Sequence, residues 1–87
     1  MYKYEIMTEN KNLNLVAKIV AGYFSGFSIV KQLGYWEGKQ EQSLNIVIFG
    51  KKNDEHAIRD IADRIKTVNN QDCVLWAKTE CEMNLYQ

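Results

Sequence analysis

The residues from Gly26 to Gly50 constrain the fold more than any other part of this 87-residue chain. Two runs rich in β-branched and aromatic residues, from Phe27 to about Gly34 and from about Ser43 to Phe49, flank the polar segment Glu37-Gly-Lys-Gln-Glu-Gln. That pattern reads as two strands joined by a polar, glycine-bounded loop whose stem carries Tyr35 and Trp36. The loop residues are too polar to pack, and glycine stands where a tight bend needs it. One amphipathic helical pattern lies on either side of this hairpin, and one more strand lies beyond each helix.

Taken in order, Tyr2, Tyr4 and Ile6 alternate with Lys3, Glu5 and Met7, which predicts a half-buried strand over residues 2–8. Asn12 stands where a helix N-cap is expected. Leu15, Val16, Ile19, Val20 and Tyr23 then form a single stripe at helical period. Gly26 is placed to close that helix, in a position where positive φ costs glycine nothing. After Gly50, Asn53 can cap a second helix, and Asp54 and Glu55 put negative charge at its positive end. Ile58, Ile61, Ala62, Ile65 and Val68 make its apolar stripe, with Arg59, Asp60, Asp63, Arg64 and Lys66 on the wet side. Asn69-Asn70-Gln71 reads as a turn. The last strand is expected from about Cys73 through Val74, Leu75 and Trp76 to Thr79, or as far as Cys81.

The order β-α-β-β-α-β contains two split βαβ units with right-handed crossovers. It predicts an α+β, ferredoxin-like sandwich: a four-stranded antiparallel sheet in order 4-1-3-2, with both helices on one face. Residues 1–87 make a single domain, because neither half could carry a core. The central strands are apolar on both sides. Leu44, Ile46 and Ile48 suit the covered face, which sends Val47 and Phe49 to the open one with Met7. Either Val74 and Trp76 or Cys73 and Leu75 must join them. An apolar surface of that extent marks an interaction site, and the most economical cover is another copy of the chain. Met7, Val47, Phe49 and Trp76 are therefore the expected oligomer interface.

Composition excludes several classes. Eleven basic residues cancel eleven acidic ones, so the cationic excess that drives nucleic-acid binding by counterion release is missing. No stretch approaches the roughly 18 apolar residues of a membrane span. The start, Met-Tyr-Lys-Tyr-Glu, has no apolar leader core. A cytoplasmic protein with neither a nucleic-acid nor a membrane partner is expected. Cys73 and Cys81, read on one strand, would lie roughly 26 Å apart at about 3.3 Å per residue, beyond disulfide reach. Reduced, buried cysteines are expected, and no Cys-x-x-Cys or neighbouring His suggests zinc.

Candidate site residues are few. His56, the single histidine, falls in the first turn of the second helix with no nucleophile beside it, and reads as a solvated residue. Glu37 and Glu41 flank the hairpin tip, where carboxylates could hold a cation or simply keep the loop wet. Tyr35 and Trp36 offer rigid amphipathic area suited to stacking, or to pairing across the hairpin. No phosphate-binding loop, dinucleotide fingerprint, zinc motif or triad spacing occurs. Neither an enzyme nor a cofactor nor a metal is expected.

With that order in place, the whole chain resembles the PII-like superfamily, which includes PII signalling proteins and CutA-type proteins. Tyr2 to Phe24 is similar to their first strand and helix. Gly26-Phe-Ser-Ile-Val-Lys-Gln-Leu-Gly is similar to the strand leading into their loop, and Tyr35-Trp36-Glu37-Gly38-Lys39 with Glu41 to the CutA-type hairpin. Gly34-Tyr-Trp-Glu-Gly, Glu41-Gln-Ser43 and Asn70-Gln-Asp-Cys-Val-Leu75 also resemble a family of short bacterial proteins of unknown function. The resemblance implies a trimer with inward-facing sheets. It also implies an intersubunit nucleotide cleft, formed by the hairpin loop and the turn before the last strand, here Tyr35–Gln42 and Asn69–Asp72. The chain departs from the family in three places: the loop is far shorter than a PII signalling loop, Asn69-Asn70-Gln71 replaces a Gly-rich phosphate turn, and Phe27-Ser28-Ile29 replaces the CutA-type cysteine.

Two functions are therefore expected in order. The first is a non-enzymatic, homo-oligomeric (dimeric or trimeric) protein binding a small ligand at its subunit interfaces, with anionic or nucleotide-like compounds among the candidates, through Tyr35, Trp36, Glu37, Lys39, Asn69, Asn70 and Gln71. The second is a small phage or mobile-element protein that inhibits or regulates a host protein, such as a defence-system component, through the open face or a strand edge.

Overall fold

Alternation decides where each strand sits. In the computed structural model, which describes residues 1–86, strand β1 (Tyr2–Glu9) buries Tyr4, Ile6 and Thr8 and leaves Lys3, Glu5 and Met7 half-buried on the other side. It is followed by helix α1 (Leu13–Ala21), β2 (Ser28–Trp36), β3 (Lys39–Gly50), α2 (Glu55–Val68) and β4 (Leu75–Glu80). The four strands form one antiparallel sheet in the order β2-β3-β1-β4. This is the expected ferredoxin-like order, read from the other edge.

Register builds the core. Tyr4 lies opposite Ile48, and Ile6 lies between Ile46 of β3 and Trp76 of β4. Over them pack Val16 and Val20 of α1 with Ile58, Ile61, Ala62 and Ile65 of α2. Each fully buried aliphatic side chain stabilises the fold by about 1.5–3 kcal/mol. Tyr4 is buried whole, and its hydroxyl donates to the Lys51 carbonyl at 2.6 Å. That bond provides the partner a buried phenol needs, and burial raises its pKa.

Three boundaries differ from expectation. Helix α1 ends at Gly22, not Gly26, and Gly22 has φ −69°, an ordinary right-handed value. The Tyr23 and Phe24 amides both donate to the Val20 carbonyl at 2.9 Å. This closes the helix early and turns both aromatic rings onto the core. Asn12 occupies the N-cap position with φ 53° but makes no side-chain cap bond. The N-cap position of α2 falls to Asp54, after a 3-10 turn at Lys52–Asp54, and not to Asn53, and the Asp54 side chain makes no cap bond to α2. The Lys51 amide donates to Asp54 Oδ2 at 2.8 Å. Strand β4 begins at Leu75, two residues later than expected, so Cys73 precedes it. Both cysteines are free, but Cys73 is exposed and Cys81 half-buried, against the expectation that both would be buried.

The same register assigns the open face. Lys3 faces Phe49, Glu5 faces Val47 and Met7 faces Asn45 between β1 and β3, while Met7 also faces Leu75 of β4. Met7, Val47 and Phe49 are on the open side as expected. Trp76 is not: it pairs with Ile6 and packs against the core, with the Arg59 guanidinium 5.3 Å from its ring centroid. Leu75, 60 % exposed, takes the open-face position instead.

Candidate functional site

The site begins with the hairpin. Glu37 and Gly38 alone close β2 onto β3, with φ 51° and 78°. Positive φ at both central residues is what a two-residue hairpin turn requires, because its twist matches that of the strands. The expected polar loop is therefore mostly strand: Lys39, Gln40, Glu41 and Gln42 pair with Trp36, Tyr35, Gly34 and Leu33. Strand β1 joins β3 only from Ser43 onward. The four pairs beyond it form a two-stranded ribbon that overhangs the sheet by roughly 13 Å, at about 3.4 Å per residue. Water on both of its faces explains why its β3 arm, Lys39–Gln42, is polar throughout. Tyr35 and Trp36 stand at its end, 70 % and 65 % exposed.

Beside the ribbon lies the turn between α2 and β4, held by a chain of amides. Asn69 is 3 % exposed. Its Oδ1 accepts from Asn12 Nδ2 at 3.0 Å, and its Nδ2 is shared between Thr8 Oγ1 at 3.1 Å and Gln71 Oε1 at 3.3 Å. The Thr8 hydroxyl donates to Gln71 Oε1, and Gln71 Nε2 donates to the Cys73 carbonyl at 3.3 Å. Asn70 takes φ 52°, a region asparagine tolerates better than most residues. The end of β1, the start of α1 and this turn are thus tied into one unit. Buried amides with their bonds made fix a single geometry.

Between ribbon and turn lies a groove of about 590 Å³, lined by Tyr35, Trp36, Glu41, Gln71, Asp72 and Leu75 among others. Ligand pockets run about 300–1,000 Å³. Of the expected ligand contacts, Tyr35, Trp36, Asn70 and Gln71 are brought together here although about 35 residues separate the two segments in the chain. Glu37 sits in the hairpin turn and Lys39 opposite Trp36, both outside the lining. Asn69 lies beneath the groove as a strut. Sequence reasoning missed Thr8, reached Asp72 only as part of the Asn69–Asp72 turn that the resemblance implied, and placed Cys73 and Leu75 in the last strand without connecting them to the hairpin. The charged residues of the lining are Glu9, Glu41 and Asp72, all acidic. Glu9 is paired with Lys11 at 2.7 Å, which leaves Glu41 and Asp72 to set the local potential.

His56 is exposed near the start of α2. Among the described residues no group of three or more His, Cys, Asp or Glu side chains could hold a metal ion. No helix among them is long and apolar enough to cross a membrane.

Neither a family model nor a curated protein matches the chain. Solved structures do. A DUF3240 family protein from Shewanella baltica OS155 has a TM-score of 0.78 at 11 % identity, covering 99 % of this chain and 94 % of that one. A phage SAM lyase in the apo state gives 0.70 at 16 % identity, over 90 % and 78 % of the two chains. CPII, a nitrogen regulatory PII-like protein from Thiomonas intermedia K12 bound to ADP, AMP and bicarbonate, gives 0.63 at 12 % identity, over 97 % and 94 %. At these identities the likeness is one of fold.

Proposed function

We propose that this chain, which has the PII-like form of the ferredoxin-like fold, is a non-enzymatic, self-associating protein that binds a small ring-bearing ligand in the groove beside its hairpin ribbon. The observation that carries this reading is the convergence of Tyr35 and Trp36 with Asn70 and Gln71 on one groove of ligand size. Exposed aromatic faces at its rim stack a planar group, and the amides supply donors and acceptors that orient it. Several lining residues, Met7, Trp36 and Leu75 among them, belong by register to the open face of the sheet. A second copy seated on that face would border the groove.

The charge of the lining refines the ligand class. Glu41 and Asp72, with no basic side chain in the lining, disfavour an anion and favour a neutral or positively charged group. A guanidinium, ammonium or sulfonium centre over Trp36 would also gain from the ring's negative face. Of the compounds named for proteins of similar fold, SAM fits that charge. AMP and ADP fit only with their phosphates directed out of the groove.

The test is a thermal-shift series with SAM, AMP, ADP and bicarbonate, repeated with Trp36→Ala, with recovered SAM assayed by chromatography. A Tm rise with SAM that Trp36→Ala abolishes, and SAM recovered intact, is the expected result. Turnover of SAM would sink the non-enzymatic part of the reading. A Tm that no ligand moves would sink the binding part.

A second reading is favoured by one observation: the single chain leaves Val30, Phe49 and Leu75 about half exposed or more on one face. A phage or mobile-element protein that docks on a host protein would use such a face. Light scattering over a dilution series separates the two, since a strict monomer leaves that face to a different partner.

A further inference from the structure

We propose that Asn45 is the polar contact that fixes how two copies of this chain meet across the open sheet face, an inference that rests on the self-association proposed above. Asn45 lies midway along β3 on the open side, between Met7 of β1 and Val30 of β2 in register. It is 9 % exposed. Its Nδ2 donates to Glu5 Oε2 at 2.7 Å. An ionised carboxylate only accepts, so this bond settles which way the amide points. Its Oδ1 has no partner, and it is the one buried side-chain nitrogen or oxygen among the described residues in that condition. A buried acceptor with no donor bears the full loss of its hydration. Native chains rarely leave such a group without a use.

What remains on Asn45 is one unpaired oxygen and one spare N–H. A carboxamide offering both is its own complement. About a two-fold axis each copy gives its N–H to the oxygen of the other, and in a closed ring each gives to the next. A partner of unrelated sequence has no reason to present that match. The charges beside it agree, because Lys3 Nζ lies 3.9 Å from Glu5 Oε1 and the two cancel within the face. Neither a strongly basic nor a strongly acidic partner is selected. Around this centre stand Val30 and Phe49, 49 % and 46 % exposed, with Met7 and Val47 half-buried. Met7 is directly opposite Asn45, and its unbranched chain can swing to admit a donor from outside.

One amide within an apolar contact acts as the buried asparagine of a coiled coil does. It gives up some affinity and specifies register and copy number. Light scattering and sedimentation over a dilution series test this on the full chain, Asn45→Val and Asn45→Asp, with circular dichroism to verify folding. The wild-type chain is expected as one species at an integer multiple of 10.2 kDa. Asn45→Val, a strong strand former of similar size, is expected to keep associating but as a mixture of copy numbers. Asn45→Asp sets a second carboxylate beside Glu5 and is expected to weaken association at least 100-fold at neutral pH. If the Asp variant does not fold, the Val variant decides alone. A wild-type oligomer whose mass and dissociation constant survive in every folded variant within twofold overturns the role of Asn45 and leaves self-association standing. A wild-type monomer at all concentrations, with or without a different protein partner, overturns both.

Discussion

Ile46 and Val47 are consecutive residues of β3 that meet opposite demands. Ile46 lies between Ile6 and Ile29 in register and is wholly buried under the helices. Val47 lies between Glu5 and Ser28 and is half-buried on the open side. The covered face is closed within one chain and is almost purely apolar, aliphatic side chains with Tyr4, Phe24 and Trp76 among them. The open face mixes apolar side chains with polar groups that bond to one another, Lys3 to Glu5 and Glu5 to Asn45. Such a face is tolerable in water as it stands and would still be open to burial by a partner. Packing makes a core, and pairing polar groups within a surface lowers the cost of leaving its apolar neighbours in water.

Paired substitutions give the largest test of this contrast. Ile46→Ala is expected to lower unfolding free energy in urea by about 2–5 kcal/mol through the lost burial and the cavity left behind. Val47→Ala should cost the single chain about 1 kcal/mol or less, with its main effect on solution mass. Equal costs would mean that the two faces are equally packed, and the contrast would fall.

Next comes the amide strut. Asn69→Ala strips partners from Asn12 and Thr8 and is expected to cost about 1–3 kcal/mol. It should weaken groove binding while leaving association across the open face intact, which would separate the groove from the face. Gly38→Ala is smaller. A Cβ there meets nothing within 4 Å at φ 78°, so the cost is conformational and about 1 kcal/mol. Glu37→Asn, better suited to its φ of 51°, should shift stability the other way by about 0.3 kcal/mol.

The smallest effect lies at the rim of the covered face. Lys78 Nζ sits 3.0 Å from Glu55 Oε1 and 4.8 Å from the Tyr2 ring centroid. The hydrogen bond from Lys78 holds the Glu55 carboxyl below its ordinary pKa, and the same bond raises that of Lys78. A depressed carboxylate contributes stability above its unfolded pKa and loses it as pH falls through the folded value. The Tm difference between wild type and Lys78→Met should therefore be present at neutral pH and close in acid. Its size is limited by exposure.

The sequence exposed its covered face well, because Tyr4, Ile6, Ile46, Ile48 and the α2 stripe repeat at the periods their elements impose. It was least readable where environment, not periodicity, decides. Lys39–Gln42 look like a loop because a ribbon wet on both sides needs no apolar alternation. Val74 to Ala77 are apolar in succession, so only pairing of Trp76 with Ile6 reveals which side each residue takes. Asn69 looks like a ligand contact because a polar residue in a turn is usually exposed, and only its burial shows a strut. Asn45 gave no signal at all, since an unmet hydrogen bond exists only in three dimensions.

The two-residue hairpin has a mechanical consequence. A long loop can register a ligand by passing from disorder to order, but here every position from Ser28 to Trp36 is already matched with one from Lys39 to Val47. The ribbon has no slack to take up. Two-stranded ribbons twist more than wider sheets, and this one runs on through β3 into the body of the sheet, along the strand that holds Ile46 on one side and Asn45 on the other.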